Sequence, residues 1–296
     1  MAINLEGSFV ALVTPFNNDK VDELKIKKLV KWHIENGTKG IVACGTTGEA
    51  PTLSLEEQGS VISAAVEAAE NKIDVIAGTG SNNTHHVIEA TKQAERLGAR
   101  GALIVCPYYN KPTQNGLYEH FKAVASSVAL DIIVYNIPGR TSVNMEPATL
   151  ASLSNDYKNI VGVKECSGSM DQVTSMIKAC RPGFAVMAGD DSLTLPIIAM
   201  GGKGLISTAA NIVPAQISEL VKWSLAGDLD RARALHLKLF PLLKTLFIET
   251  NPGPVKEAMQ IMGLIENSSL RLPMAAMDDA NRKRLQSVLE EFGLAR

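Results

Sequence analysis

The sequence predicts an α/β protein, a (β/α)8 TIM barrel with a C-terminal all-helical extension. Three observations carry that prediction. Eight short apolar runs recur, each followed by a helical pattern or a helix-starting signal. No GxGxxG fingerprint follows the first run, which counts against the doubly wound open sheet that alternation alone would also allow. After Gly227 the strand-like runs stop, and only helical patterns remain. The division expected is therefore a barrel over 1-227 carrying the active site, and a helical region over 228-296 packed on it.

The first run is SFVALVTPF from Ser8, and Leu24, Ile26, Leu29, Val30 and Ile34 then repeat at helical spacing until Gly37 ends the helix. GIVACG from Gly40 follows, and Ser54 with Glu57 three residues on forms a capping-box pattern. DVIAGTG from Asp74 leads to His85-His86, a polar helix start, and to a helix closed by Gly98. GALIVCP from Gly101, DIIVYNIP from Asp131 and IVGVKEC from Ile160 come next. FAVMAGDD from Phe184 ends at Asp191-Ser192, which opens another helix, and KGLIST from Lys203 completes the set. The helices beyond Asp230 are interrupted by Asn251-Pro-Gly-Pro254 and Leu272-Pro273.

Composition removes several function classes. Hydrophobic residues at 46% and charged residues at 20% of 296 fit a soluble globular chain. A formal net charge of -2 offers no electrostatic case for nucleic acid or an anionic membrane. No apolar run approaches the ~20 residues of a membrane span, and the N-terminus lacks the basic start of a signal peptide. Cys44, Cys106, Cys166 and Cys180 show no metal-ligand spacing, so a reduced, disulfide-free, cytoplasmic protein is expected.

In such barrels chemistry sits at the C-terminal ends of the strands. The sixth run ends in Lys164. Alternation along the strand sets Val161 and Val163 on one face and Gly162 and Lys164 on the other, with Glu165 on the wrong face to neutralise Lys164. An amine held in a pocket without its own carboxylate loses basicity and becomes a nucleophile. The ordinary alternative is a lysine snorkelling into water. The second run ends in Cys44-Gly-Thr-Thr-Gly-Glu49, a tight turn whose N–H groups and hydroxyls suit an anion such as a carboxylate, or simply bond locally. The fourth ends in Pro107-Tyr-Tyr-Asn-Lys-Pro112, and the fifth in Tyr135-Asn-Ile-Pro-Gly-Arg-Thr141. These offer a phenol as proton shuttle and Arg140 as a carboxylate clamp. No histidine–carboxylate spacing at any strand end predicts a metal. Asp190-Asp191 could bind a divalent ion, although a helix cap explains at least one of the two.

Together GTTGE, PYYNKPTQ, YNIPGRTS and GVKE, running from Gly7–Phe16 to Asn251–Lys256 and Leu270–Pro273, resemble the pyruvate-dependent class I aldolase superfamily. Within it the chain is similar to the dihydrodipicolinate synthase family over nearly its whole length. The resemblance implies condensation of pyruvate with L-aspartate-4-semialdehyde, a step of lysine and diaminopimelate biosynthesis, without metal or organic cofactor. It implies Lys164 as the Schiff-base lysine and Tyr135 as general acid/base, with Thr46 and Tyr109 completing a hydroxyl relay. Thr47 would hold the pyruvate carboxylate, Arg140 the carboxylate of the second substrate, and the backbone of Gly189 and Ile206 would line the pocket. In the family the second tyrosine crosses from a neighbouring subunit, implying a homo-oligomer, commonly a tetramer built as a dimer of dimers.

Lysine-inhibited members carry a histidine and a glutamate where this chain has Gln58 and His86, and Leu55 replaces a further polar residue. Weak or absent lysine feedback is therefore expected. N-acetylneuraminate lyase and 2-keto-3-deoxy sugar acid aldolases share the lysine and Tyr135 but take polyhydroxylated aldehydes. Arg140 and the doubled threonine point instead to a small charged aldehyde. A non-catalytic metabolite-binding barrel would not be expected to keep the whole constellation.

Overall fold

A computed structural model describes residues 3–295. Eight parallel strands close into a barrel: β1 (Gly7–Ala11), β2 (Gly40–Ala43), β3 (Asp74–Gly78), β4 (Gly101–Val105), β5 (Asp131–Asn136), β6 (Ile160–Glu165), β7 (Ala185–Ala188) and β8 (Gly204–Ser207). Each pairs with the next, and β8 returns to β1 through Gly7↔Gly204. The helices between them are α1 (Glu23–Glu35), α2 (Leu55–Ala69), α3 (Thr84–Arg96), α4 (Gln114–Ala125), α5 (Pro147–Asp156), α6 (Met170–Ala179), α7 (Thr194–Ala199) and α8 (Pro214–Leu225). Three more follow: α9 (Leu229–Thr245), α10 (Gly253–Ile261) and α11 (Asp279–Glu291). No described helix is long and apolar enough to cross a membrane.

Two apolar layers result from strand alternation. Phe9, Val42, Ile76, Leu103, Ile133 and Ile206 fill the barrel interior, with Ile3 and Leu5 packed in the same cluster. Val10, Ile41, Ile104, Val134 and Val163 face outward into the core shared with the helices. One strand breaks the alternation. Ile132 pairs with Ile160, but Ile133 pairs with Gly162, leaving Val161 as an extra residue in β6. Val161 consequently packs on the interior cluster while Val163 lies in the outer one, so the expectation that both share a face fails at Val161.

Helix chemistry follows the sequence with one exception. In α1 the Asp22 carboxylate accepts from the Lys25 N–H at 2.9 Å, and Ile26, Leu29, Val30 and His33 are buried. Leu24 instead is 72% exposed, because two residues before Ile26 it falls about 200° around the helix from the buried face. Both halves of the Ser54–Glu57 capping box form, at 2.9 and 3.2 Å. Glu57 also takes the Arg271 guanidinium at 2.6 Å, tying the loop before α11 to the start of α2. That ion pair holds the Glu57 carboxyl down to about 2.

The C-terminal helices connect with the barrel at depth. Lys256 of α10 is fully buried and its Nζ donates to Glu49 Oε1 at 2.8 Å, to the Thr14 carbonyl at 3.0 Å and to the Ser269 carbonyl at 2.5 Å. The same ammonium sits 4.4 Å from the centre of the Phe16 ring. Glu49 closes the turn after β2 in the left-handed region, at φ +55°. A loop that carries two candidate site threonines is therefore anchored by a residue some two hundred positions away.

Candidate active site

Lys164 and Tyr135 are paired residues on neighbouring strands β6 and β5, both directed into the barrel. Lys164 is only 6% exposed, and its Nζ lies 4.4 Å from the Tyr135 ring centre. Burial lowers its pKa, and the Arg140 charge adds to the effect, while Cys166 and Asp191 oppose it. No carboxylate pairs with this amine among the described residues. Glu165 faces the other way, its oxygens accepting from Asn136 Nδ2 at 2.9 Å, the Ser167 N–H at 2.7 Å and Gln172 Nε2 at 3.3 Å. The separation of the two side chains follows from strand alternation.

Gly189, at the end of β7, permits this packing. A Cβ there would strike Cys166 Sγ and come within 2.8 Å of Lys164 Cε. Tyr135 is buried, and desolvation raises its pKa well above the ordinary phenol value. Thr46 beside its hydroxyl favours the phenolate, while burial and the neighbouring Cys166 oppose it. Cys166 was not legible as part of the site: a thiol just past a strand end reads as ordinary packing. Burial pushes it up to about 12, so it stays a neutral thiol.

Thr47, the residue expected to hold a carboxylate, is buried beside Thr46 on the turn after β2. Its Oγ1 accepts from Asn251 Nδ2 at 2.9 Å. Arg140, on the single helical turn Pro138–Thr141 after β5, donates from Nη2 to the Asn251 carbonyl at 3.3 Å. Asn251 thus joins two sequence-derived candidates, and nothing in an Asn-Pro dipeptide between helices announces it. Ile206 lies in the interior layer with Tyr135. Immediately beyond it, the buried Asp191 carboxylate accepts from the Ser207 hydroxyl and from the N–H groups of Thr208 (3.1 Å) and Ala209 (3.3 Å). The helix-capping member of the acidic pair is Asp190, which accepts from Ser192 at 3.0 Å.

A cavity of about 550 Å³ is lined by Thr46, Tyr135 and Arg140 and also by Leu55, Gln58 and His86, while Lys164 and Thr47 lie outside its lining. Gln58 turns its amide inward, donating to the Ala50 and Leu53 carbonyls at 3.3 Å each. Tyr108 lines the cavity, whereas Tyr109 is 88% exposed and stands apart from Lys164 and Tyr135 within one chain. Among the described residues, no group of three or more His, Cys, Asp or Glu side chains could hold a metal ion. The arrangement offers an amine whose basicity burial lowers, a phenol beside a threonine hydroxyl, and a hydroxyl and a guanidinium suited to carboxylates. That set fits covalent capture of a small keto acid.

Residues 4–292 match the dihydrodipicolinate synthetase family. A 4-hydroxy-tetrahydrodipicolinate synthase of Geobacter sp. (strain M21) is 52% identical over 289 residues, covering 98% of this chain and 99% of its own. The crystal structure of dihydrodipicolinate synthase from Aquifex aeolicus superposes with a TM-score of 0.97 at 48% identity, over 98% of this chain and 99% of that one. The chloride-inhibited dihydrodipicolinate synthase from Acinetobacter baumannii, complexed with pyruvate, gives 0.95 at 45% identity over 98% of this chain and all of that one.

Proposed function

The chain belongs to the dihydrodipicolinate synthetase family, and from that premise we infer that it is a lyase of the class I aldolase type, joining pyruvate to L-aspartate-4-semialdehyde to form 4-hydroxy-tetrahydrodipicolinate. The observation that carries this reading is the buried amine of Lys164, without an ion-pair partner among the described residues, against Tyr135.

Neutral Lys164 Nζ attacks C2 of pyruvate, and the resulting carbinolamine loses water to give an iminium. Tyr135, beside Thr46, supplies the proton that the departing hydroxide needs. The iminium draws electrons from the pyruvate methyl group, which loses a proton and becomes an enamine. This electron sink is the lysine adduct itself, so the chemistry calls for no separate cofactor. The enamine carbon attacks the aldehyde, and the amino group of the second substrate then adds to C2 and expels Lys164. Thr47 holds the pyruvate carboxylate, Arg140 holds that of the second substrate, and the backbone of Gly189 and Ile206 lines the pocket.

Tyr109 reaches the Thr46–Tyr135 relay of a second copy, which makes the working form a homo-oligomer, a dimer of dimers in the cytoplasm. Its 88% exposure on one chain supports that role. Lysine is a weak effector or none, since Leu55 and an inward-turned Gln58 line the cavity; strong inhibition below a millimolar would overturn this.

The test of the reaction is borohydride reduction in the presence of pyruvate, followed by peptide mass spectrometry and an assay for loss of aspartate semialdehyde. The reduced adduct is expected on Lys164. An adduct on any other residue, or none, refutes the mechanism.

A further inference from the structure

We propose that Asn251 is a positioning residue for pyruvate, setting the direction in which the Thr47 hydroxyl donates its proton. This rests on the reading that Thr47 holds the pyruvate carboxylate. A threonine hydroxyl has one proton to give and lone pairs to receive. Asn251 Nδ2 donates to Thr47 Oγ1 at 2.9 Å, so a lone pair is occupied and the proton must point elsewhere. No other side-chain hydrogen bond of Thr47 exists among the described residues, which leaves that proton for an incoming acceptor. A carboxylate is such an acceptor, and a charge-assisted bond to it is the stronger kind.

Two further observations bear on Asn251. Its Oδ1 is buried without a partner, although the residue is only 5% exposed, a condition that native structures rarely tolerate away from a ligand or water site. Its position is also doubly fixed. Lys256, five residues on, grips Glu49, two residues beyond Thr47, at 2.8 Å. The two segments are thus joined at two points, which limits how far the Asn251 backbone can move from Thr47.

Asn251→Asp keeps the shape but presents only acceptors to Thr47 Oγ1. The hydroxyl then rotates to donate to the introduced carboxylate, and its proton is lost to pyruvate. The readout is the pyruvate concentration that half-saturates borohydride trapping on Lys164, which needs no second substrate. A rise of at least tenfold is expected for N251D, with the melting temperature and the limiting trapping rate little changed. Adding N251D to Thr47→Val separates hydroxyl direction from simple charge repulsion. Repulsion persists without the hydroxyl, so an equal rise in the T47V background overturns the proposal, while a rise below twofold there supports it. An unchanged half-saturation in the single variant also overturns it. Should N251D not fold, Asn251→Ala is put through the same cycle and judged by the same non-additivity. Failure of the wild-type chain to trap pyruvate on Lys164 at all refutes the underlying reaction instead, and the two failures are distinguishable.

Discussion

Replacing Lys256 with methionine removes a cation from the interior while keeping a side chain of similar length. Three acceptors lose their donor: Glu49 Oε1, the Thr14 carbonyl and the Ser269 carbonyl. Glu49 is 3% exposed, and its carboxylate would retain one donor in place, the Arg271 N–H at 3.0 Å. Breaking one side of a buried pair costs about 3–5 kcal/mol, because a charge is left unsolvated and unpaired. Methionine regains some packing against Phe16, so a loss of about 4 kcal/mol is expected for K256M. Glu49→Gln in the same chain removes the stranded charge, and the double variant should recover about 2 kcal/mol relative to K256M alone. Urea denaturation at fixed protein concentration measures both, read from the midpoint at constant slope. A K256M loss below about 1 kcal/mol, or a double variant less stable than K256M, would show that the pair is not the anchor described.

Tyr135→Phe keeps the ring beside Lys164 but removes the proton donor; turnover should fall about 10²–10⁴-fold, with half-saturating pyruvate nearly unchanged. An equal loss in both would mean the phenol serves binding. The Lys164 amine reacts only when deprotonated, and burial lowers its pKa, so trapping should rise with pH and level off below the ordinary lysine value of about 10.4. A midpoint at or above that value contradicts the buried-amine account. Gly189→Ala places a methyl group 2.8 Å from Lys164 Cε and against Cys166 Sγ, so imine trapping should fall at least tenfold. Adding Cys166→Ala should restore part of it, and no restoration would argue that the thiol is not what crowds the site.

Much of the barrel could be read from eight apolar runs because buried parallel strands need little else. The inward aim of Lys164 and the outward aim of Glu165 also follow from counting by twos near the strand end. Counting failed lower in the same strand, at Val161, because a bulge leaves no mark in an apolar run. It failed differently at Leu24, where an apolar residue in the first turn of α1 looked like part of the buried face. Asn251 and Lys256 were hidden for another reason. Their partners, Thr47 and Glu49, lie about two hundred residues upstream, and a lysine on a short helix ordinarily points to water. Cys166 was passed over because a thiol gives no sign of whether its neighbour is a leucine or a reactive amine.

The extra residue in β6 has a consequence for how the strand keeps time. Ile160 and Lys164 are four positions apart, so an unbroken pleat would send both to the same face. They face opposite ways: Ile160 packs under the helices and Lys164 enters the barrel. The strand therefore runs as two half-strands out of phase, its lower end beating with the outer core and its upper end with the reaction chamber. Which way the amine points is then a matter of residue count below it. Deleting Val161 would leave Ile160 and Lys164 three positions apart, so a regular pleat would keep Ile160 under the helices and Lys164 in the barrel without the bulge.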